Sequence, residues 1–238
     1  MTSSIALYLL QAGADAGFFN VIVEQFNQGG EWMWPILIAF ILGLAIFLER
    51  IITLNLADIN TRKFILEVQE ALQEGGIEAA SEVCARTRGP VASVFQAGLL
   101  RADEGMDAAE KAITTYGSIE MSFLERGLIW LSLFITIAPL LGFLGTVVGM
   151  IAAFDAIEAA ADISPSIVAG GIKIALLTTA AGLMAGIILQ IGYNYCVSKI
   201  DRLIGEMEES SVTLLDSIVA LREGRQIVPP SATDESEA

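Results

Sequence analysis

The chain has 238 residues, of which 54% are hydrophobic, with a mean hydropathy of +0.64 and a formal net charge of −15. This composition is too apolar for a soluble domain of that length, and the acidic excess argues against nucleic-acid binding. The sequence contains no histidine, so it lacks the commonest metal ligand and the side chain best suited to moving protons near neutral pH.

Three segments are long and apolar enough to cross a bilayer whose hydrocarbon core is about 30 Å thick, at about 1.5 Å per helical residue. They cover residues 32–56, 127–154 and 167–198. The second has no charged residue, and Lys173 is the only charge in the third. We therefore expect an all-α membrane protein with three transmembrane helices.

The positions of the basic residues predict the orientation of these spans. No Lys or Arg precedes Arg50, and all the others except Lys173 lie at 50–126 or 199–225. Because positive charge is enriched in cytoplasmic segments, we predict a multi-pass protein of a bacterial inner (cytoplasmic) membrane, with its N-terminus outside and its C-terminus inside. The predicted segments are a periplasmic or interfacial amphipathic helix at 1–31, a cytoplasmic helical loop at 57–126, a periplasmic loop at 155–166, a cytoplasmic helix at 199–223 and a disordered tail at 224–238.

The cytoplasmic loop shows a helical pattern with glycine stops. Phe64, Ile65, Val68 and Leu72 form one apolar stripe before a break at Gly75-Gly76. Further breaks are expected at Gly89-Pro90 and near Gly105. Asp107 with Glu110 resembles a capping box, and we expect the helix that it begins to run unbroken to Pro139. Cys84 and Cys196 both lie on the predicted reducing side, so no disulfide is expected.

The second and third spans each have a face of small residues opposite a face of large ones, at about 100° per residue. Such small faces let helix backbones approach closely. In the second span this face comprises Pro139, Gly142, Thr146, Gly149 and Ala153, and in the third Gly171, Ile174, Ala175, Thr178, Ala181, Gly182 and Ala185.

Three threonines are the candidate polar groups in these faces. Thr146 and Thr178 are expected about 12 and 15 Å from the outer ends of their helices, at one level, and Thr179 borders the same face. The alternative is that each hydroxyl bonds only to a carbonyl of its own helix. Lys173 is interpreted as a side chain that reaches the head groups rather than as part of an ion path.

No span contains a mid-membrane Asp, Glu or His. A proton carrier needs a titratable group, so this chain cannot complete a proton relay within the membrane alone. If it moves protons, a partner must supply the carboxylate.

These features resemble the ExbB/TolQ/MotA family of ion-motive-force motor subunits. The matching segments run from Ala138 to Gly149 (APLLGFLGTVVG) and from Gly171 to Leu183 (GIKIALLTTAAGL). The resemblance covers about residues 30–220. The chain looks closer to ExbB and TolQ than to MotA, which has a fourth span.

The resemblance implies a homopentamer around an ExbD/TolR-like single-span partner whose membrane Asp takes the ion. It also implies transduction of proton-motive force to work at the outer membrane or envelope, together with a TonB-like or TolA-like protein. No catalytic residue, metal or cofactor is implied besides the transported H⁺ or Na⁺. The resemblance matches Thr146, Thr179 and Pro139 to residues of the family's motifs. Together with the helix faces it predicts an ion pathway of Thr146, Thr178 and Thr179. The predicted pore-facing or partner-contacting residues are Pro139, Gly142, Gly149, Ala153, Gly171, Ile174, Ala175 and Gly182.

Two positions depart from the ExbB and TolQ pattern. Ile174 stands where those relatives usually carry a glutamate, and Ile188 where they often carry a proline. The Thr178-Thr179 pair is similar to a sequence motif of sodium-driven flagellar stators, where hydroxyl oxygens could help to coordinate a hard cation. A sodium-driven motor and a non-conducting membrane scaffold are therefore the alternatives. An intramembrane enzyme has little support without histidine, paired membrane carboxylates or a Ser/Lys dyad.

Overall fold

The computed structural model describes residues 17–160, 165–223 and 225. In those ranges the chain is helical and has no strand, and three of the helices are long and apolar enough to cross a membrane. The predicted fold class is confirmed. The helices are α1 (Phe18–Gln28), α2 (Met33–Ala57), α3 (Thr61–Arg86), α4 (Pro90–Ala102), α5 (Met106–Glu125), α6 (Leu128–Ala160) and α7 (Pro165–Arg222).

The apolar helices α2, α6 and α7 contain the three predicted spans. Helix α7 continues without a break through the predicted cytoplasmic helix at 199–223. Some predictions fall outside the described residues: the first half of the segment 1–31, residues 161–164 of the outer loop, and the tail 224–238 apart from Arg225.

The chain divides into two compact units. We call the first the span unit, which comprises Met1–Phe47 and Ile129–Tyr193. We call the second the body unit, which comprises Leu48–Leu128 and Asn194–Ala238. The positions that the sequence marks as functional all lie in the span unit.

The core of the body unit confirms the predicted apolar stripe on α3. Phe64, Ile65, Val68 and Leu72 are all buried, and the Phe64 ring packs on the Phe95 ring of α4 at a centroid distance of 5.3 Å. This core also includes residues from the C-terminal part of α7. Its other members include Cys84, Val91, Leu99, Ile113, Met207, Leu214 and Ile218.

Glycines with positive φ separate the helices of the body unit. Gly76 (φ 70°) kinks α3 without a loop, Gly89 (φ 124°) precedes α4, and Gly105 (φ 127°) precedes α5. The three predicted breaks are confirmed, but the predicted capping box is wrong. Helix α5 begins at Met106 after Gly105, so Asp107 lies inside the first turn, where its charge favours the helix dipole instead of capping the end.

The expected unbroken helix from Asp107 to Pro139 is also wrong. Helix α5 ends at Glu125, and Gly127 adopts a φ of 95° before α6 begins at Leu128. A Cβ added at Gly127 would lie 3.1 Å from the guanidinium Nε of Arg50. Left-handed backbone and the nearby arginine both favour glycine here, a constraint that the local pattern of apolar residues does not reveal.

A charged cluster joins the end of α2 to α7 within the body unit. Lys199 Nζ and Arg202 donate to Oδ2 of Asp58 at 2.7 and 2.6 Å, and Lys199 also donates to Asn55. The hydrogen bond from Lys199, followed by that from Arg202, lowers the pKa of Asp58 below its ordinary value, against the opposing effect of burial. The ionised carboxylate therefore stabilises the folded body.

We expect Asp58→Asn to lower the melting temperature of the detergent-solubilised protein at neutral pH by about 2–4 °C, equivalent to about 1 kcal/mol. Because the folded pKa is lowered, the carboxylate contributes fully above its ordinary pKa of 3.8. That contribution disappears as the pH falls through the folded pKa, so the two melting temperatures should converge in acid. Asp201→Asn, a similar charge change at an exposed site on α7, is the control. Equal effects of the two changes would contradict the stabilising role of the cluster.

Candidate functional site in the span unit

The small faces of α6 and α7 pack directly on each other, so close that backbones touch. A Cβ added at Gly142 would lie 2.8 Å from the carbonyl oxygen of Thr178, and one at Gly182 would lie 2.6 Å from that of Ala138. Real Cβ atoms do not approach backbone oxygens so closely. The predicted function of these glycines in helix packing is confirmed within a single chain.

The contact continues two and three turns farther, toward the C-terminal end of α6 and the N-terminal end of α7. A Cβ at Gly171 would lie 2.4 Å from the Cβ of Ala153 and 2.7 Å from the carbonyl oxygen of Gly149. A Cβ at Gly149 would lie 3.4 Å from the Cβ of Ala175. The two antiparallel helices are thus locked in one register along about three turns.

Thr178 is fully buried in this contact. Its hydroxyl donates to carbonyls of its own helix, with distances of 3.1 Å to Ile174 and 3.0 Å to Ala175. Across the interface lies Gly145, where a Cβ would come within 2.6 Å of Thr178 Oγ1. Gly145 therefore provides the space that Thr178 fills.

Thr146 and Thr179 lie at the edge of the same contact and remain partly exposed. The Thr146 hydroxyl donates to the carbonyl of Phe143 at 2.6 Å, and the Thr179 hydroxyl makes a longer contact of 3.4 Å with the carbonyl of Gly142 on the other helix. Each oxygen keeps lone pairs that can accept a hydrogen bond or bind a cation. The predicted common level of the threonines is consistent with Gly145, the neighbour of Thr146, packing on Thr178.

The predicted pore-facing or partner-contacting residues fall into two groups. Pro139 and Ile174 are partly exposed. The other six are buried between α6 and α7, so the contact that the structure shows for them is with each other. A role in lining a pore or contacting a partner stays a prediction. The buried six are Gly142, Gly149, Ala153, Gly171, Ala175 and Gly182.

Two glycines belong to the contact although the predicted site omits them. Gly145 accommodates Thr178, and a Cβ at Gly186 would lie 2.8 Å from Pro139 Cγ. Both take part in small-xxx-small spacings, with Gly149 and Gly182 respectively. That spacing in the sequence is itself a signal for close helix contact.

Lys173 is exposed on α7 beside Ile174. Ile174 Cγ2 lies 3.8 Å from the position of a Cβ on Gly30, which precedes the start of α2 at Met33. Lys173 is therefore level with the N-terminal end of α2. That its ammonium reaches the head-group region stays a prediction.

Comparison with known proteins places the sequence beside a family of proton channel proteins. Residues 86–209 match the model of the MotA/TolQ/ExbB proton channel family. A biopolymer transport protein of Methanothermobacter thermautotrophicus, described as an ExbB homologue, is 33% identical over 192 residues. These residues cover 80% of this chain and 68% of the relative. An ExbB-like protein from Synechocystis is 29% identical over 181 residues, 74% of this chain and 71% of the relative. The biopolymer transport protein exbB1 of Vibrio cholerae is 37% identical over 87 residues, 36% of this chain and 38% of the relative.

The chain therefore belongs to the MotA/TolQ/ExbB proton channel family. The three long apolar helices of the structure make it a multi-pass membrane member of that family. Within the matched region lie both faces of the α6–α7 contact and all three candidate threonines.

Neighbouring glycines on α7 provide a direct test of the contact. We expect Gly171→Ala to destabilise the protein by about 1–3 kcal/mol, because its Cβ would overlap Ala153 and Gly149. Gly170→Ala should be neutral or stabilising by up to about 1 kcal/mol, since nothing lies within 4 Å of its added Cβ. Thermal unfolding of the two variants in the same detergent measures the difference. A loss of stability in Gly170→Ala equal to that in Gly171→Ala would contradict the observed register.

Proposed function

We propose that this chain is an ExbB/TolQ-like subunit of an ion-driven motor that couples proton-motive force to work at the outer membrane or envelope, by TonB-type transport or Tol-type maintenance. The observation that carries the proposal is the pair of partly exposed hydroxyls, Thr146 and Thr179, at the edge of a rigid α6–α7 contact. A fixed pair of hydroxyl oxygens on two apolar spans can coordinate an ion, or the water around it, beside a partner helix. Family membership supplies the expectation that an ion moves.

The partner in this proposal is an ExbD/TolR-like single-span protein that carries a membrane Asp. Residues 127–154 and 167–198 contain no acidic side chain, so in this proposal the titrating carboxylate beside α6 and α7 comes from the partner. We propose a homopentamer around this partner in the inner membrane, with the N-terminus outside and the C-terminus inside. A TonB-like or TolA-like protein would receive the motion, and the subunit would act as a channel and scaffold rather than as an enzyme.

The buried state of Thr178 favours protons over sodium. A sodium site needs several oxygen ligands directed at one point, and the Thr178-Thr179 pair offers only the Thr179 hydroxyl at the edge of the contact. A proton can instead pass between the partner's Asp and water, without a cage of protein oxygens. Ile174, in place of the family's glutamate, is then compatible with proton transfer because the partner carries the titrating group.

The first experiment is an ion-flux measurement on the complex purified with its native partner and reconstituted in liposomes. We expect flux driven by a proton gradient in the absence of sodium. Flux that requires sodium would establish the sodium-driven alternative. No flux with either ion, in a complex shown to be intact by native mass spectrometry, would contradict ion conduction and favour the non-conducting scaffold.

Replacing the hydroxyl of Thr146 by a methyl tests its place in the path. We expect Thr146→Val to lower proton flux by roughly tenfold or more, since a hydrogen bond to a charged group contributes about 1.5–3 kcal/mol. The control is Thr115→Val on α5, whose hydroxyl also donates to a carbonyl of its own helix, at 2.8 Å to Lys111. Unchanged flux in Thr146→Val, with the complex assembled, would remove Thr146 from the path.

A further inference from the structure

Three exposed polar side chains in the inner half of α6 and α7 lie on one side of the helix pair. Ser132 and Thr136 on α6 and Gln190 on α7 are all exposed in the chain. Thr136 donates its hydroxyl to the carbonyl of Ser132 at 3.1 Å, which leaves the oxygen able to accept. Hydroxyl and amide groups have more donor and acceptor positions than a single partner uses, so these three side chains can also bind water on this side of the pair.

Helix α2 covers the opposite side of the pair. A Cβ at Gly43 of α2 would lie 2.6 Å from Leu189 Cδ1 and 3.2 Å from the Cβ of Phe134. Farther toward the inner end, a Cβ at Gly192 would lie 2.7 Å from the Phe47 ring. These contacts mark the side of α6 and of α7 on which the first span packs.

Helical geometry places the polar residues on the other side. Measured from Gly142 at about 100° per residue, Phe134 lies about 80° one way around α6, and Ser132 and Thr136 lie about 80° and 120° the other way. Measured from Gly182, Gln190 lies about 80° around α7 on the side away from Gly192. Because the helices are antiparallel and α2 contacts the matching side of each, the polar side chains share the side that α2 leaves open.

The helix contact also sets their depth. Pro139 packs on Gly186, and Gln190 is one turn farther in, about 6 Å along α7. Thr136 and Ser132 are about 4.5 and 10 Å beyond Pro139 along α6, so the level of Gln190 falls between them. Phe143 and Leu183, both large and exposed, separate this group from Thr146 and Thr179.

We propose that Ser132, Thr136 and Gln190 line a water-filled vestibule that forms the inner half of the ion path. This proposal rests on the proposed ion-conducting function, and the occupant of the face is water together with the passing ion. Two observations favour water over lipid: the polar groups cluster at one depth, and they lie on the same open side of the pair as Thr146 and Thr179. Phe143 and Leu183 form the apolar constriction between the vestibule and the outer threonines.

Cysteine accessibility tests the vestibule, since only a thiol in contact with water forms the reactive thiolate. Ser132→Cys, Thr136→Cys and Gln190→Cys are placed in the full complex, in membranes opened so that both faces meet a charged methanethiosulfonate. The matched controls are Leu133→Cys and Ile191→Cys, which are exposed apolar positions adjacent in sequence and therefore at almost equal depth. The parent protein, whose Cys84 and Cys196 are buried, provides the blank.

We expect the three vestibule positions to react roughly tenfold faster than the controls, as a tenfold larger thiolate population would give. Equal rates at all five positions, or no reaction at the vestibule positions, would overturn the proposal. Ser132→Cys only exchanges a hydroxyl for a thiol, so it keeps the test decisive if Gln190→Cys prevents assembly.

Ion flux separates failure of this inference from failure of the proposed function. We expect Thr136→Val and Gln190→Leu each to lower flux by roughly tenfold, and Leu133→Val to leave it unchanged. Normal flux in both polar variants, with the parent complex conducting, would overturn the vestibule and leave the motor function standing. A parent complex that conducts no ion but labels at the vestibule positions would support the water-lined face and contradict the proposed function.

Discussion

The contact between the backbones of α6 and α7 is the constraint on which the rest of the span unit depends. Gly142, Gly149, Gly171 and Gly182 each lie where a methyl group would overlap the facing helix. Lipid supplies no hydrophobic force that drives helices together. Close approach instead lets many weak van der Waals contacts form along both helices. The register that results fixes which side chains of the two spans share a level.

This register explains why three neighbouring threonines have different environments. Thr178 fills the space opposite Gly145 and is fully buried, whereas Thr146 and Thr179 lie at the margin of the contact. Thr178 thus belongs to the helix contact itself. The other two present oxygens toward the open side of the pair. A polar path can in this way be built on helices that have no titratable group in mid-membrane.

Much of the fold could be predicted from sequence because the signals are local. Long apolar runs gave the three spans, and the stripe from Phe64 to Leu72 gave the buried face of α3. The predictions that failed depended on the backbone conformation of a glycine, and in one case also on a contact with a distant residue. The left-handed Gly127 beside Arg50 ends α5, and Gly105 displaces Asp107 from the capping position. Neither effect changes the apolar periodicity from which the helices were predicted.

For the candidate site, periodicity predicted which residues are small and on one face, but not what that face contacts. Gly142 and Ala175 were expected to face a pore or a partner, and the structure places them against the neighbouring span of the same chain. A pattern along one helix cannot distinguish these neighbours. The sequence pattern also did not predict that Ser132, Thr136 and Gln190 lie on one side of the helix pair. That side is defined by the position of α2, which the pattern does not reveal.

The central claim is that α6 and α7 of one chain pack through their small faces in the observed register. The most direct test is disulfide formation in Gly149→Cys/Ala175→Cys, since the two Cβ positions are 3.4 Å apart and disulfides have Cβ separations of about 3.5–4.5 Å. The account predicts rapid oxidation to an intramolecular disulfide in the assembled complex, and none in Gly149→Cys/Lys173→Cys, whose second residue is exposed and lies about 160° around α7 from Ala175. A disulfide that joins two chains, or equal oxidation of both variants, would contradict it.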